Sequence, residues 1–427
     1  MKISSVKKQI SRLGFLGTFC YYMGRMGTVA ELEILGRFTG KFIKVKKNRL
    51  VFKNREKQDY SDNPRAFFEY LIKKGYNEKY EIIWMVSDKK SFRDHKYKNV
   101  KFVTAENKYG WSSPACIYYA TTAGCFFYSH NSAGLNRYHG EGQKVINLWH
   151  GCGYKGAEHG DGKTPKRSDE DVKLRFDAAL VPGSVFVETK SRAWGCDRKK
   201  LLTCGYPRYD WMLNPGITKK QLFEKLGIRK EPGTKVVMWM PTFRQSELNG
   251  CKEGEISMPY TLPGLSGAQE LVELDRLLGK LNITLFIKKH PLQTKWESDT
   301  GELKSVYEIT DQLLEEQGIL LYELIGLCDG LISDYSSVAV DYLLLDRPMA
   351  FVLTDYRMYQ EKRGFVFEDP LSYMPGEKIM KYEDFRRFFE DLAEGKDRWK
   401  EERKRLLPVM HTRHENYCGA LLEALKL

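Results

Sequence analysis

Polar residues of types that bind anions or move protons follow several short apolar runs in the second half of this 427-residue sequence. Each run has the length and composition of a buried β-strand. The clusters that follow them are Pro241-Thr242-Phe243-Arg244, His290-Pro291, Asp334-Tyr335-Ser336-Ser337 and Thr354-Asp355. Open parallel sheets bind ligands outside the carboxyl ends of their strands. We therefore expect the four clusters to meet at one sheet edge and to form a ligand site there.

A phosphate site is predicted within this set. Ser336 and Ser337 stand where a helical pattern over 338–345 begins, and a helix start offers free N–H groups and partial positive charge. Arg244 would add a planar cation for phosphate oxygens, and His290 is expected at the same sheet edge. The alternative for the serines is an ordinary N-cap, and the alternative for Arg244 is a surface salt bridge.

A candidate general base follows a run in the first half of the chain. The strand predicted at 145–148 leads into Trp149-His150-Gly151-Cys152-Gly153-Tyr154-Lys155. A positioned imidazole can take the proton of an alcohol as the hydroxyl attacks, so His150 is a candidate catalytic residue. A structural histidine is the alternative. Lys155 is either a support for substrate charge or a surface lysine.

Further polar residues give weaker signals. Gly151, Gly153 and Gly156 formally spell a dinucleotide fingerprint, but no clear helix pattern follows them. Arg208 follows a stiff Gly-Tyr-Pro turn, and Asp210 either contacts ligand or anchors that turn. A D-x-D pattern at 169–171 lies in a lysine-rich segment and is better interpreted as a solvated helix start. Mg²⁺ is therefore possible as a cofactor, but no ligand cluster is identified for it.

The elements that must position these residues alternate between strands and helices, which predicts an α/β protein with parallel sheets. Strands are predicted near Arg49–Phe52, Glu81–Val86, Val100–Val103, Cys125–Tyr128, Val145–Leu148, Ala178–Val181, Leu201–Cys204, Lys235–Met240, Thr284–Lys288, Ile319–Tyr322, Gly330–Ser333 and Met349–Leu353. Helices are predicted near Pro64–Lys74, Lys219–Leu226, Ala268–Leu281 and Ser337–Leu345. A Pro/Gly-rich stretch at 214–233 separates two halves of similar size.

Four regions follow from this pattern. We expect residues 1–44 to form a basic N-terminal segment with an amphipathic pattern, and 45–214 to form a first α/β domain. Residues 234–380 are expected to form a second α/β domain, and 381–427 a helical C-terminal segment. Two domains of this size suit the chain length.

The net charge of +13 is concentrated at one end, because residues 1–60 hold fourteen Lys/Arg and four Asp/Glu. Apolar residues recur at helical spacing among the first lysines, which favours contact with an anionic membrane surface. A solvated basic arm and a nucleic-acid patch are the alternatives. No segment reaches the roughly 18–20 apolar residues that span a bilayer. Nine cysteines without a C-x-x-C pair indicate a reduced, cytosolic setting.

The ordered set of clusters resembles the CDP-glycerol glycerophosphotransferase family of teichoic acid primases and polymerases. The similar pieces are Trp149-His150-Gly151 with Lys155, Gly205-Tyr206-Pro207-Arg208 with Asp210, Pro241-Thr242 with Arg244, Lys288 or Lys289 with His290-Pro291, Ser333-Asp334-Tyr335-Ser336-Ser337 with Asp341-Tyr342, Asp346-Arg347-Pro348, Arg363-Gly364-Phe365, and Ser61-Asp62-Asn63-Pro64-Arg65. The resemblance covers about residues 45–375 and implies a GT-B-like fold, two facing Rossmann-like domains with a cleft between them.

The resemblance also implies roles for single residues. His150 would be the general base, and His290, together with Arg244, Ser336, Ser337 and Asp334, would hold the donor. His290 would also be catalytic, because it would stabilise charge on the leaving CMP. Acceptor-side or supporting roles would fall to Gly151, Lys155, Arg208, Asp210 and Asp341.

The implied reaction moves an alditol phosphate from CDP-glycerol or CDP-ribitol to a hydroxyl of a lipid-linked glycan or polymer, at the cytoplasmic face of the membrane. Cys152-Gly153-Tyr154 departs from the usual family sequence after His-Gly, so the acceptor is left open. A GT-B nucleotide-sugar glycosyltransferase and a non-catalytic nucleotide- or polymer-binding protein are the alternatives. Nucleic acid is not an expected partner, because the charge lies apart from the motifs.

Overall fold

Two parallel β-sheets organise the protein in a computed structural model that describes residues 3–54, 60–106, 112–130, 135, 137–156, 175–241, 262–288 and 302–427. The first sheet has seven strands in the order β3-β2-β1-β4-β5-β6-β7, and the second has six in the order β10-β9-β8-β11-β12-β13. Every strand pair in both sheets is parallel. The predicted α/β class with two parallel sheets is confirmed.

The first sheet and its helices occupy the first half of the chain. Its elements are α1 (Ile3–Glu31), a π-helical turn (Leu32–Gly36), α2 (Arg37–Phe42), β1 (Lys46–Lys53), α3 (Asp62–Lys73), β2 (Glu81–Val86), β3 (Val100–Thr104), α4 (Pro114–Thr122), β4 (Ala123–Tyr128), β5 (Lys144–Asn147), β6 (Ala178–Leu180), α5 (Val185–Trp194), β7 (Leu201–Leu202) and α6 (Tyr209–Leu213). Strands such as β2 and β4 are apolar along nearly their whole length, because helices cover both sheet faces.

The second half repeats this plan. Its elements are α7 (Lys219–Lys225), β8 (Lys235–Trp239), α8 (Ala268–Lys280), β9 (Ile283–Ile287), β10 (Val306–Glu308), α9 (Asp311–Glu316), α10 (Leu321–Leu327), β11 (Gly330–Ser333), α11 (Val338–Tyr342), β12 (Met349–Val352), α12 (Tyr356–Arg363), β13 (Glu377–Ile379), α13 (Tyr382–Glu394), α14 (Lys400–Met410) and α15 (Tyr417–Leu425). The predicted seam at 214–233 falls between β7 and β8. The exact domain limits stay a prediction.

The C-terminal helices link the two halves. Helix α13 packs Phe385 and Phe389 into the core of the second sheet. The chain then returns to the first sheet, where the Thr412 amide donates to the Pro182 carbonyl at 3.0 Å. Lys144 donates to the Leu425 carbonyl at 2.9 Å. The final helix, α15, therefore belongs structurally with the first half, while Arg403 of α14 pairs with Asp346 in the second half.

Two details of the predicted second half were wrong, whereas the helix predicted over 337–345 is present. The strand predicted at Ile319–Tyr322 is instead the approach to α10, which packs extensively on α6. Strands β10 and β13 were not predicted, because each pairs over three residues and is only partly apolar. The helix after Ser337 is α-helical for five residues and ends in a 3₁₀ turn at Leu343–Leu345.

The N-terminal helix carries apolar side chains on its surface. Gly14 interrupts α1 with φ 69° and ψ 175°, as its lack of a Cβ allows. Side chains that are more than half exposed along the following residues are Phe15, Leu16, Phe19, Met26, Val29, Ile34, Phe38 and Phe42. Of the helices in the described residues, none combines the length and the hydropathy needed to cross a membrane.

Candidate active site between the two sheets

The segment after β5 forms a sharp turn that carries His150. Trp149 adopts φ 50°, a conformation that is uncommon for a bulky residue. Its amide donates to the Asn147 side-chain oxygen at 2.9 Å, and its indole N–H donates to the Gly151 carbonyl at 2.7 Å. Contacts within the five residues 147–151 therefore hold the turn, and His150 on it stays partly exposed.

A buried asparagine secures this turn from the side. Asn63 is fully buried at the start of α3, and its amide nitrogen donates to the carbonyls of Leu148 at 3.2 Å and Trp149 at 2.9 Å. Its side-chain oxygen accepts the Arg208 amide at 3.2 Å. Asn63 thus ties the His150 turn to the Gly-Tyr-Pro-Arg turn, two segments that sequence analysis treated separately.

Glycines bring the His150 turn into contact with the second half of the chain. A methyl group added at Gly153 would lie 2.8 Å from the Ser337 amide nitrogen, and one at Gly151 would lie 2.8 Å from the Ser337 Cβ. Gly156 donates its amide to the Gly364 carbonyl at 3.0 Å. The formal dinucleotide pattern therefore reflects close approach between the two halves.

Backbone pairing strengthens this contact. Lys155 and Phe365 form an antiparallel bridge, and the Val366 amide donates to the Tyr154 carbonyl at 2.9 Å. The Tyr154 hydroxyl donates to the Tyr373 carbonyl at 2.9 Å. Lys155 is partly exposed, so its predicted role beside a substrate remains open to test.

The predicted phosphate-binding serines lie at this junction. Ser336 and Ser337 are partly exposed and follow β11, next to the point where the second sheet reverses its strand order between β8 and β11. Asp334 is buried two residues earlier. The Tyr335 hydroxyl donates to Asp355 at 3.0 Å and so links two of the predicted polar clusters. Ligands bind at such reversal points in open α/β sheets.

A buried ionic network braces the junction. Arg208 pairs with Asp62 and with Asp341, each at 2.7 Å, and Asp341 also accepts hydrogen bonds from the hydroxyls of Tyr209 and Tyr322. Burial raises the pKa of the Asp341 carboxyl, and Arg208 opposes that rise. Arg208 and Asp341 are buried among protein partners, and their role in the reaction stays a prediction.

Asp210 anchors the C-terminal helix. Its carboxylate accepts the backbone amides of Tyr417 and Cys418, each at 2.9 Å, at the start of α15. A carboxylate at a helix start satisfies free N–H groups and is favoured by the helix dipole. Of the two interpretations from sequence, the structure favours the anchor, although it joins two segments far apart in the chain.

Several predicted residues lie outside the described part of the structure. These are Arg244, Lys289 and His290, together with the D-x-D segment at 169–171. Their roles stay predictions. Lys288 is described, and it pairs with Asp311 at 2.8 Å. Within the described ranges, no three His, Cys, Asp or Glu side chains are grouped as a metal site would require.

Sequence reasoning missed His130, which follows β4. Its imidazole lies 3.8 Å from that of His150, with the rings within 7° of parallel. The available signal was positional: a Ser-His pair directly follows a predicted strand that neighbours the strand before His150. A single histidine without a glycine-rich turn did not stand out.

Comparison with known proteins shows the family. The profile of CDP-Glycerol:Poly(glycerophosphate) glycerophosphotransferase matches residues 37–415, which is most of the chain. The chain belongs to this glycerophosphotransferase family. The resemblance drawn from the ordered motifs is thereby confirmed.

Relatives of this glycerophosphotransferase family member are teichoic acid enzymes. A ribitol-phosphate primase of Bacillus spizizenii is 29% identical over 54% of this chain and 57% of its own length. A poly(glycerol phosphate) polymerase of Staphylococcus epidermidis is 27% identical over 79% of this chain and 44% of its own length. The matched part thus spans about half the length of these two relatives.

The fold also has a solved counterpart. A structure of the wall teichoic acid polymerase TagF superposes with a TM-score of 0.70 at 20% identity, over 96% of each chain. The family member therefore has the GT-B-like fold that its motifs implied, with two Rossmann-like halves.

Proposed function

We propose that this chain transfers an alditol phosphate, glycerol phosphate first among them, from a CDP-alcohol to a hydroxyl of a lipid-linked or polymeric cell-surface glycan, with release of CMP. The observation that carries the proposal is the contact between the His150 turn and Ser337. It brings a candidate base from the first sheet to the helix start that was predicted to bind phosphate.

The transfer reaction requires both a base for the acceptor and a binding site for the donor diphosphate. His150 takes the proton of the acceptor hydroxyl while the hydroxyl oxygen forms a bond to the β-phosphorus of the donor. The bond from that phosphorus to the bridging oxygen breaks, and its electron pair leaves with CMP. Ser336 and Ser337, with Arg244 and His290, would hold the diphosphate and stabilise the charge that develops on CMP.

The two halves of the chain would bind different substrates. Residues 234–380 would bind the CDP-alcohol, because Ser336 and Ser337 lie at the strand-order reversal of the second sheet. Residues 45–214 would face the acceptor through His150. Relatives named for glycerol phosphate and for ribitol phosphate support both CDP-glycerol and CDP-ribitol as candidate donors.

A peripheral position on the cytoplasmic membrane face fits the N-terminal helix. On a helix that turns about 100° per residue, one stripe of α1 about 100° wide holds five apolar side chains. Each is 45% exposed or more: Phe15, Leu16, Phe19, Met23 and Met26. Contiguous exposed apolar patches of this size are unusual on the surfaces of soluble proteins, and they mark interaction sites.

Basic residues continue this surface. Lys41 and Lys44 are exposed at the end of α2, beside the exposed rings of Phe38 and Phe42. Apolar residues that enter the headgroup region beside cations are the composition that binds anionic lipid. Such a position would bring the active site to a lipid-linked acceptor.

Donor screening tests the proposed reaction. The full chain is incubated with CDP-glycerol, CDP-ribitol and a set of UDP-sugars, with a lipid-linked acceptor, in the presence of Mg²⁺ or of EDTA. We expect CMP release from a CDP-alcohol that depends on acceptor. Release of UDP from a sugar donor without CMP release would instead identify a nucleotide-sugar glycosyltransferase.

A further inference from the structure

Two histidines from neighbouring strands lie face to face beside the proposed site. The ring centroids of His130 and His150 are 3.8 Å apart, and the ring planes differ by 7°. The Trp149 ring lies 4.1 Å from His150 with a tilt of 38°. Two aromatic neighbours therefore restrict rotation of the candidate base.

Ser129 connects His130 to the turn that carries His150. The Ser129 hydroxyl is buried and donates to the Trp149 carbonyl at 3.1 Å. Its oxygen also lies 2.8 Å from Nδ1 of His130, within hydrogen-bond distance. His130 is thereby held by the same serine that holds the turn before His150.

Backbone conformation points to the same pair of strand ends. His130 and Trp149 both adopt φ 50°. Such conformations in non-glycine residues persist where surrounding contacts enforce them, and they cluster at functional sites. Strand β4, which precedes His130, adjoins β1 at the point where the first sheet reverses its order, the usual ligand position in this fold.

We propose that His130 is a positioning residue for His150, an inference that rests on the proposed function above. Its flat ring fixes the plane of the His150 imidazole and stabilises the imidazolium that forms when His150 takes the acceptor proton. Direct proton transfer between the two rings is excluded by geometry. Ring N–H bonds lie in the ring planes, so parallel stacked rings do not point them at each other.

Two substitutions of His130 separate this role from a general structural one. In His130→Ala we expect kcat for CMP release to fall about tenfold, while the KM for CDP-glycerol stays within about twofold. His130→Phe keeps a flat ring and should restore kcat to within about threefold of wild type. A matched control is Phe92→Ala, which removes one ring of a parallel pair with Phe102 at 4.7 Å and should keep kcat.

A second readout does not depend on turnover. In protein labelled at histidine, NMR signals of the His150 ring, assigned by their loss in His150→Ala, should be shifted upfield by the stacked ring. The shift should vanish in His130→Ala and persist in His130→Phe.

The proposal is wrong if His130→Ala keeps wild-type kcat, if His130→Phe loses as much as His130→Ala, or if the His150 signals do not respond. Absence of CMP release from wild type with every CDP-alcohol would contradict the proposed function instead. The NMR comparison would then still show whether the His130 ring stacks on the His150 ring.

Discussion

Arg208 and Asp341 form a buried ion pair that joins the two halves of the molecule. The guanidinium and carboxylate are 2.7 Å apart, and their side chains are 4% and 0% exposed. Arg208 precedes α6 beside the first sheet, and Asp341 lies in α11, directly after the serines of the proposed donor site. The pair therefore connects the position of the His150 turn to the position of the helix start that we propose binds phosphate.

Removal of Asp341 should destabilise the protein strongly. Asp341→Ala leaves Arg208 with Asp62 as its remaining carboxylate, and takes the acceptor from the Tyr209 and Tyr322 hydroxyls. We expect the free energy of unfolding in urea to fall by about 3–5 kcal/mol. Lys98→Ala, which breaks an exposed pair with Glu78, is the control and should cost less than about 1 kcal/mol. Equal small losses in both variants would show that the buried pair is not structural.

A methyl group at Gly153 should separate the two parts of the active site. In Gly153→Ala the new Cβ would overlap the Ser337 backbone, which lies within 2.9 Å of its position, and the His150 turn must move away. We expect kcat to fall at least about tenfold with the fold retained, since small displacements of catalytic groups are costly. Gly267→Ala is the matched control, because its Cβ would meet no atom within 4 Å. Wild-type kcat in Gly153→Ala would contradict the close contact.

His411 should make the protein sensitive to acid. This side chain is 1% exposed and its Nε2 donates to the Val340 carbonyl at 2.8 Å. Burial lowers the pKa of His411 from 6.5 to about 4. Between these values the unfolded chain binds the proton and the folded chain does not, so stability present above pH 6.5 is lost as the pH falls toward 4.

Across this pH range the free energy of unfolding should fall by about 3 kcal/mol. Urea unfolding between pH 7 and 4 measures it. His411→Phe should flatten this dependence. An equally steep dependence in His411→Phe would assign the acid sensitivity to other groups.

The exposed apolar stripe of α1 should mediate membrane binding. Phe15 and Phe19 are 80% and 60% exposed, so their replacement by serine removes little packing within the protein. We expect the double variant Phe15→Ser, Phe19→Ser to bind anionic vesicles at least about tenfold more weakly than wild type in a flotation assay. Met380→Ser, at a residue 54% exposed near the second sheet, is the control. Unchanged binding by the double variant would exclude this surface as the membrane contact.

Much of the fold was predictable because buried parallel strands leave a strong signal. Continuous apolar runs such as residues 82–86 coincide with their strands, and the alternation of strands and helices indicated the two sheets. Short edge strands were missed, because Val306–Glu308 has one buried residue and no apolar run. The apolar run at 319–322 was assigned the wrong type, since its packing on α6 is a tertiary contact that short-range pattern does not encode.

The site was predictable where residues follow strand ends, and less so where the contacts are long-range. His150 and Ser337 were identified from position alone, and their segments do meet. The partners of Asp210 are about 200 residues away in sequence, at 417 and 418, so its anchoring role required the fold. His130 was missed because its ring stacks on that of His150, a contact that only the fold reveals.

The most direct test of the central claim is the comparison of His150→Ala with wild type in the same CMP-release assay, with binding of CDP-glycerol measured by calorimetry. If His150 is the base of a transfer reaction, kcat should fall by about 10²–10⁴-fold while donor affinity stays within about threefold. Wild-type turnover in His150→Ala would contradict the claim, because the reaction would then proceed without the imidazole that the first sheet presents.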